Sequence, residues 1–286
     1  LREVLPYEAD RLPLPGSGPM LTVQPGPWNK VYLAAALPVP GSQSYQSTTL
    51  DVLAYLLGGD RTSRLYRTYK YERQLVDSIS VSNVSFERIG AFVVTAELDA
   101  DKVQPFWSAL VEDFAALKAD AFSPHELERA KLNIEDDLYR SKETLAGLAS
   151  KLGYFQFFQG GEQGERNAIE ALRNVDAAML GQSLETWVRP ERLTTVVLPP
   201  KDAKLPDMQA ILDKEWKAGA KAGAAKTTEA GKTEIVDLGK GRTLVLIPDK
   251  TLPYVSANLT YSGGDALLKP SEQGLSSLAA NVLTKS

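Results

Sequence analysis

The residues that could carry out chemistry are few and widely separated in this chain of 286 residues. Cysteine is absent, which excludes disulfides, thiolate metal ligands and a cysteine nucleophile. The single histidine, His125, falls in the first turn of a predicted helix, and we interpret it as an exposed residue. The acidic run 135–137 is typical of a solvated helix face rather than of paired catalytic carboxylates. Four serines along a predicted strand have no base in view and indicate a polar strand face: Ser78, Ser80, Ser82 and Ser85.

The bulk composition is that of an ordinary globular protein, with 43% hydrophobic and 24% charged residues. The net charge of -4 and the lack of a basic segment argue against a nucleic-acid partner. No apolar run approaches the ~20 residues of a membrane span. Because the chain starts at Leu1 without a methionine, we expect a fragment of a longer protein. The compartment stays open between the bacterial periplasm or cell envelope and the cytoplasm.

The apolar periodicities that must position any site alternate between strands and helices. A buried strand is predicted at 30–39, a helix at 46–57, and a hairpin that pairs 75–85 with 89–98. The helix that follows, with Asp99 or Asp101 as its cap, carries an apolar stripe of core type: Val103, Phe106, Trp107, Leu110, Val111, Phe114 and Leu117.

The second half of this pattern is mostly helical. Ser123, Pro124 and Glu126 form a capping-box sequence that starts a helix running to about Arg140. Another helix at 144–158, two shorter helices and a last strand at 193–198 follow. The order predicts an α+β fold in two layers: a mixed or antiparallel sheet covered on one face by helices.

The segment 58–82 joins the predicted helices to the predicted sheet. It opens with a Gly-Gly turn, continues as an amphipathic helical segment and ends in strand-like alternation. Its distinctive residues are Gly58, Gly59, Ser63, Arg64, Leu65, Tyr66, Tyr71, Glu72, Arg73, Gln74 and Leu75. A second distinctive segment, 123–131, reads SPHELERAK.

These two segments resemble the pitrilysin/insulinase family of zinc peptidases. More narrowly, they resemble the non-catalytic domain that follows the zinc domain in each half of those proteins. The resemblance covers roughly residues 1–200, and residues 233–286 resemble the opening of the zinc domain itself. It implies a protein whose two halves close over an unfolded peptide.

The zinc motif of that family, His-x-x-Glu-His, is replaced in this chain. When the sequences are aligned on Gly274 and Leu275, the three motif positions read Ser277, Ala280 and Asn281. Serine is a poor zinc ligand, alanine has no base, and asparagine cannot accept a proton at neutral pH. We therefore expect no metal or other cofactor in this chain, and zinc in an upstream catalytic domain of the full-length protein.

Two positions have a functional interpretation that the resemblance implies. In the non-catalytic domain of the family, an arginine and a tyrosine seven residues apart reach the peptide substrate, and here these positions are Lys70 and Asp77. Lys70 keeps the positive charge but loses the two-pronged geometry of arginine. Asp77 replaces the aromatic ring. Either substrate is contacted differently here, or this domain only builds the chamber wall.

The predicted organisation has four parts. These are a Pro-rich connector (1–28), the non-catalytic peptidase-type domain (29–205), a flexible Ala/Gly/Lys-rich linker between halves (206–232) and the truncated start of a degenerate zinc-peptidase-type domain (233–286).

The expected function is that of an inactive segment of a zinc metallopeptidase, partnered by peptide substrate and by the remaining domains of the same polypeptide. One alternative is a pseudopeptidase that serves as a structural or assembly subunit without hydrolysis. Another is a generic peptide-binding module.

Overall fold

The computed structural model describes residues 19–42, 44–222, 234–239 and 242–246, together with Lys269 and Leu275. The chain divides into two compact units, Leu1–Thr251 and Leu252–Ser286, and every element below lies in the first. The strands are β1 (Met20–Val23), β2 (Val31–Pro40), β3 (Ser78–Ser85), β4 (Ile89–Leu98), β5 (Thr194–Leu198), β6 (Glu234–Gly239) and β7 (Arg242–Leu246). The α-helices are α1 (Tyr45–Gly58), α2 (Val103–Ala116), α3 (Pro124–Arg140), α4 (Leu145–Phe158), α5 (Glu162–Arg173), α6 (Ala177–Trp187) and α7 (Met208–Ala222).

Five strands form one mixed sheet in the order β1-β5-β2-β4-β3. Only the β1–β5 pair is parallel, and the other pairs are antiparallel. In β2 the buried residues alternate with less buried ones, so one face of the sheet is packed and the other is more open. The predicted α+β fold, with a mixed sheet covered on one face by helices, is confirmed. Strands β6 and β7 form a separate two-stranded hairpin.

Helix α2 supplies the largest side chains of the core. Its predicted stripe is buried from Val103 to Phe114, and Leu117 packs against the core from its edge. Phe106 and Trp107 are almost fully inaccessible, and each such side chain contributes roughly 1.5–3 kcal/mol of burial free energy. The Trp107 indole Nε1 also donates to the backbone oxygen of Met208 at 2.9 Å, which fixes α7 against α2.

The predicted cap of α2 is wrong. A 3₁₀ turn, Ala100–Lys102, precedes the helix, and the side chain of Asp99 makes no capping hydrogen bond to it. The Asp99 carboxylate instead accepts a hydrogen bond from Lys30, 69 residues earlier in the chain. The charged Lys30 donor therefore takes the carboxylate that would otherwise accept from the backbone N–H groups of the helix.

Two elements differ from the predicted organisation. Strand β1 lies inside the predicted connector 1–28 and joins the sheet through β5. Helix α7 occupies the first part of the predicted linker 206–232 and continues to Ala222. Each of these two elements has a packing partner, β5 for β1 and α2 for α7. The remaining domain boundaries stay predictions.

In the described part of the chain, no helix combines the length and apolar character needed to cross a membrane.

Candidate functional site

Lys70 lies in a π-helix, Tyr66–Glu72, between α1 and β3. The wider turn appears in the backbone hydrogen bond from the Arg73 N–H to the Thr68 oxygen. Gln74 then adopts a positive φ of 51°, which is uncommon outside glycine. π-Helical turns occur frequently at functional sites, which makes this segment a candidate functional site.

Tyr69 fixes this π-helix to the core. Its side chain is fully buried, its hydroxyl donates to Asp113 Oδ2 at 2.5 Å, and its ring meets that of Phe106 edge to face. Burial, followed by the nearby Asp113 charge, raises the pKa of the Tyr69 phenol above its usual value. Tyr69 therefore stays a neutral donor, and the next residue, Lys70, is held in a defined place.

The structure brings the two sequence-predicted site residues together. The Lys70 ammonium donates to the backbone oxygen of Asp77 at 2.5 Å and lies 5.3 Å from the ring centre of Tyr66. An ammonium has three N–H donors, so this contact leaves it with capacity for a further acceptor. The Asp77 carboxylate faces a different residue, Lys30, whose Nζ lies 2.9 Å from Oδ2.

Lys30 completes a charge cluster at one end of the sheet. Its ammonium bridges Asp77 and Asp99, with Asp99 Oδ1 at 2.5 Å, and Lys102 lies 3.5 Å from the other Asp99 oxygen. We call these residues the sheet-end cluster: Lys30, Lys70, Asp77, Asp99 and Lys102. Since β2 and β3 begin where β4 ends, these residues, which are distant in the sequence, meet at the same end of the sheet.

The ion pairs stabilise the charged forms in this cluster. Hydrogen bonding to Asp99, then to Asp77, raises the pKa of Lys30 above its usual range. The same bond from Lys30 lowers the pKa of the Asp99 carboxyl. Lys30 and Asp99 are thus held in their charged forms, and the cluster contains three lysines and two aspartates.

Sequence reasoning missed Lys30, Asp99 and Lys102. A signal for Lys30 and Asp99 was present, because Lys30 directly precedes one predicted strand and Asp99 directly follows another. Antiparallel pairing places such flanking residues side by side, as the register Val31 to Leu98 shows. The prediction lacked the order of the strands, which no local pattern contains.

Two of the residues that carry the family resemblance, Ser63 and Arg64, make structural contacts. The Ser63 hydroxyl donates to the Asp60 backbone oxygen at 2.5 Å and closes the turn after α1. The Arg64 guanidinium donates to the Ala121 oxygen at 2.6 Å and lies over the Phe122 ring. The Arg64 contacts join the segment that precedes the π-helix to the segment that precedes α3.

The remaining chemical candidates are at the surface. His125 is exposed in the first turn of α3. Glu135 pairs with Arg173, and Asp136 with Arg140, so these carboxylates face cations and not each other. The motif positions Ser277, Ala280 and Asn281 lie outside the described residues.

The described residues do not fit a zinc site. Across these ranges no three His, Cys, Asp or Glu side chains converge so that they could hold a metal ion. The sheet-end cluster also lacks a nucleophile and a free base, since both of its carboxylates are held by lysines. What it can do is bind a carbonyl or carboxylate oxygen through an ammonium.

The sequence model of the family described as "Peptidase M16 inactive domain" matches residues 8–134. This part of the chain thus matches a domain of the pitrilysin-like M16 peptidases.

The similar proteins agree with this assignment. Uncharacterized zinc protease YmxG of Bacillus subtilis is 28% identical over 111 residues, which is 39% of this chain and 27% of that protein. The chain therefore spans about a quarter of the length of this curated relative. The crystal structure of a peptidase M16 inactive domain from Pseudomonas fluorescens superposes with a TM-score of 0.55 at 14% identity, covering 66% of this chain and 45% of that one. A chain of Complex III2 from Candida albicans gives a TM-score of 0.57 at 16% identity, with coverage of 70% and 49%.

Proposed function

We propose that this chain is the non-catalytic part of a zinc-dependent metallopeptidase and that its domain forms one wall of a peptide-binding chamber. The observation that carries the proposal is the match of residues 8–134 to the M16 inactive domain. Zinc and the catalytic groups would come from a domain outside this chain, as the name of the Bacillus relative suggests. The partner is a peptide substrate.

Within this function, Lys70 binds the substrate. The π-helix holds its ammonium at the sheet end, where it can donate a charge-assisted hydrogen bond to a peptide carbonyl or carboxylate. Lys30 contributes indirectly, because its ion pair neutralises the Asp77 carboxylate that would otherwise repel an anionic peptide group. Asp77 positions Lys70 through its backbone oxygen.

The test is Lys70→Ala in the full-length enzyme. Loss of one charge-assisted hydrogen bond worth about 1.5–3 kcal/mol predicts a roughly tenfold to hundredfold lower kcat/KM. Lys70→Arg, which keeps the charge, should recover most of the activity. Lys214→Ala on α7, where the lysine side chain is 79% exposed, is the matched control and should leave kcat/KM unchanged.

A second candidate is a structural or assembly subunit with the same fold and no hydrolysis. One observation favours it: Lys70 already donates to the backbone oxygen of Asp77, and the Asp77 carboxylate pairs with Lys30, so these groups have polar partners without a ligand. The Complex III2 chain shares the fold alone. If the Lys70→Ala enzyme keeps the wild-type kcat/KM, Lys70 does not bind the substrate. The domain would then only form a wall of the chamber. A full-length protein without peptidase activity would support the second candidate.

A further inference from the structure

The five-stranded sheet carries a single charged residue. Across strands β1 to β5 the only lysine, arginine, aspartate or glutamate is Glu97, near the end of β4. In the register it lies between Tyr32 of β2 and Ser78 of β3, and both of these residues are exposed on the more open face. Glutamate is depleted in strands, because a charged side chain does not suit a half-buried surface. A charge placed here therefore indicates a role beyond packing.

The Glu97 carboxylate has no partner in the part of the chain that the structure describes. It is half-buried, and neither of its oxygens takes part in a hydrogen bond or an ion pair there. The next row of the same face differs, since the hydroxyls of Ser80 and Thr95 lie 2.8 Å apart and satisfy each other. Because partial burial removes water from a carboxylate, a cationic donor would replace the hydrogen bonds that Glu97 has lost.

Two aromatic rings lie beside this carboxylate and are open to solvent. Tyr32 is the cross-strand neighbour of Glu97, so their Cβ atoms are roughly 4.5–5.5 Å apart. The Tyr32 ring meets that of Trp28 edge to face, with the ring centres 6.3 Å apart, and the two residues are 37% and 40% exposed. The Trp28 indole packs on bare backbone, since a Cβ atom on Gly26 would come within 2.4 Å of its Nε1. The rings are thus held in place by the protein and remain accessible.

The lysines at this end of the sheet leave Glu97 unpaired. Lys30 follows Trp28 closely in the sequence, but its ammonium lies 2.5 Å from Asp99 Oδ1 and 2.9 Å from Asp77 Oδ2. The sheet-end cluster has one more lysine than aspartate, so together with Glu97 it is neutral and does not repel a cation. Of the three carboxylates, Glu97 is the one that no described lysine holds.

We propose that Glu97, Tyr32 and Trp28 form a recognition site for an arginine side chain of the bound peptide. The aliphatic stem packs on the Tyr32 ring, the guanidinium pairs with the Glu97 carboxylate, and the rings add a cation–π contact. This inference rests on the proposed function, which makes a peptide the ligand, and adds a preference for a basic residue. The Asp77 N–H donates to the Glu97 backbone oxygen at 2.7 Å, so the arginine site and the Lys70 contact lie at the same end of the sheet.

The test measures binding of two unfolded peptides to the chain by titration calorimetry. Both peptides have capped ends and the same neutral sequence, with either arginine or citrulline at the centre, since citrulline keeps the shape of arginine without its charge. The arginine peptide should bind roughly tenfold to hundredfold more tightly. Glu97→Gln should reduce this preference to the two- to fivefold or so that an exposed cation–π contact gives, and should leave the affinity for the citrulline peptide unchanged.

Glu185→Gln, which changes an exposed glutamate of α6, is the matched control and should keep the full preference for arginine. Tyr32→Leu should lower the preference by about two- to fivefold while Glu97 stays in place. Lys70→Ala tests the proposed function separately, because it should weaken both peptides equally and leave their ratio unchanged. The arginine site is overturned if the wild-type chain binds neither peptide, if it binds both equally, or if Glu97→Gln and Glu185→Gln have the same effect.

Discussion

Asn83 joins the edge strand β3 to helix α1 through a single side chain. Its Nδ2 lies 2.9 Å from Asp51 Oδ1 and 3.2 Å from the backbone oxygen of Ser47. Asp51 is an exposed residue, but the protein around its carboxylate removes much of the hydration of that group. This desolvation raises the pKa of Asp51 to about 6, although the hydrogen bond from Asn83 acts in the opposite direction.

Asp51 should therefore make the fold less stable as pH rises. Its pKa in the folded chain is above the unfolded value of about 3.9, so the folded state binds the proton more tightly. The associated stability is fully present below about pH 4 and is lost as pH rises through about 6. Asp51→Asn is uncharged and keeps an acceptor for Asn83. Its unfolding temperature should exceed that of the wild type at alkaline pH and equal it below about pH 4.

The control for this pH dependence is Asp202→Asn, an exposed aspartate in the turn after β5. Its thermal unfolding profile should follow that of the wild type at every pH. If the Asp51→Asn and wild-type profiles run parallel instead of converging in acid, desolvation of Asp51 does not affect stability.

Residue-level prediction of the site succeeded only in part. The pair Lys70 and Asp77 could be selected from the sequence, because the family resemblance marks their positions. Their contact could not be predicted from the sequence. It depends on the π-helix that carries Lys70 and on the positive φ at Gln74, which together bring the Lys70 ammonium to the backbone oxygen of Asp77. A short apolar pattern does not distinguish a π-helix from an α-helix.

At the scale of elements, features that depend on nearby residues could be predicted, whereas features that depend on distant contacts could not. The Ser123 capping box forms as expected, because all of its partners lie within three residues. The Asp99 cap does not form, because Lys30 competes for that carboxylate from another strand. Helix α4 has the predicted bounds, but periodicity cannot show whether an apolar face has a partner.

Lys131 anchors one element to another. Its side chain is only 10% exposed, and its ammonium donates to the backbone oxygens of Arg173 at 3.0 Å and Val175 at 3.2 Å. These oxygens lie at and just beyond the end of α5, where a helix lacks internal partners for its last carbonyl groups. A lysine of α3 thus fixes the C-terminal end of α5 and the entry to α6.

Lys131→Met should destabilise the domain by about 2–4 kcal/mol, because it keeps the aliphatic stem but leaves two backbone oxygens without their donor. Chemical denaturation measures the loss as a lower midpoint at constant slope. The control is Lys214→Met, which changes an exposed lysine and should stay within about 0.5 kcal/mol of the wild type. Equal effects of the two substitutions would show that Lys131 does not anchor α5.

At the scale of the whole molecule, α7 extends the packed structure into the predicted linker. Helix α7 lies close against α2, since a Cβ atom on Gly219 would come within 2.4 Å of the Glu112 backbone oxygen. Lys214 and Lys217 therefore lie in a helix that has a packed partner. The Ala/Gly/Lys-rich sequence that follows, 223–232, is the part of the predicted linker that lies outside the described residues.

Limited trypsin digestion should cut this chain first after Lys226 or Lys232. A protease needs an extended backbone, which an Ala/Gly-rich sequence is expected to offer and a packed helix offers only after local unfolding. Mass spectrometry of the first stable product should thus show a fragment that retains α7. First cleavage after Lys214 or Lys217 would mean that α7 opens readily despite its contact with α2. First cleavage within 46–117 would contradict the predicted domain boundary, because that range holds the core helices and the β3–β4 hairpin.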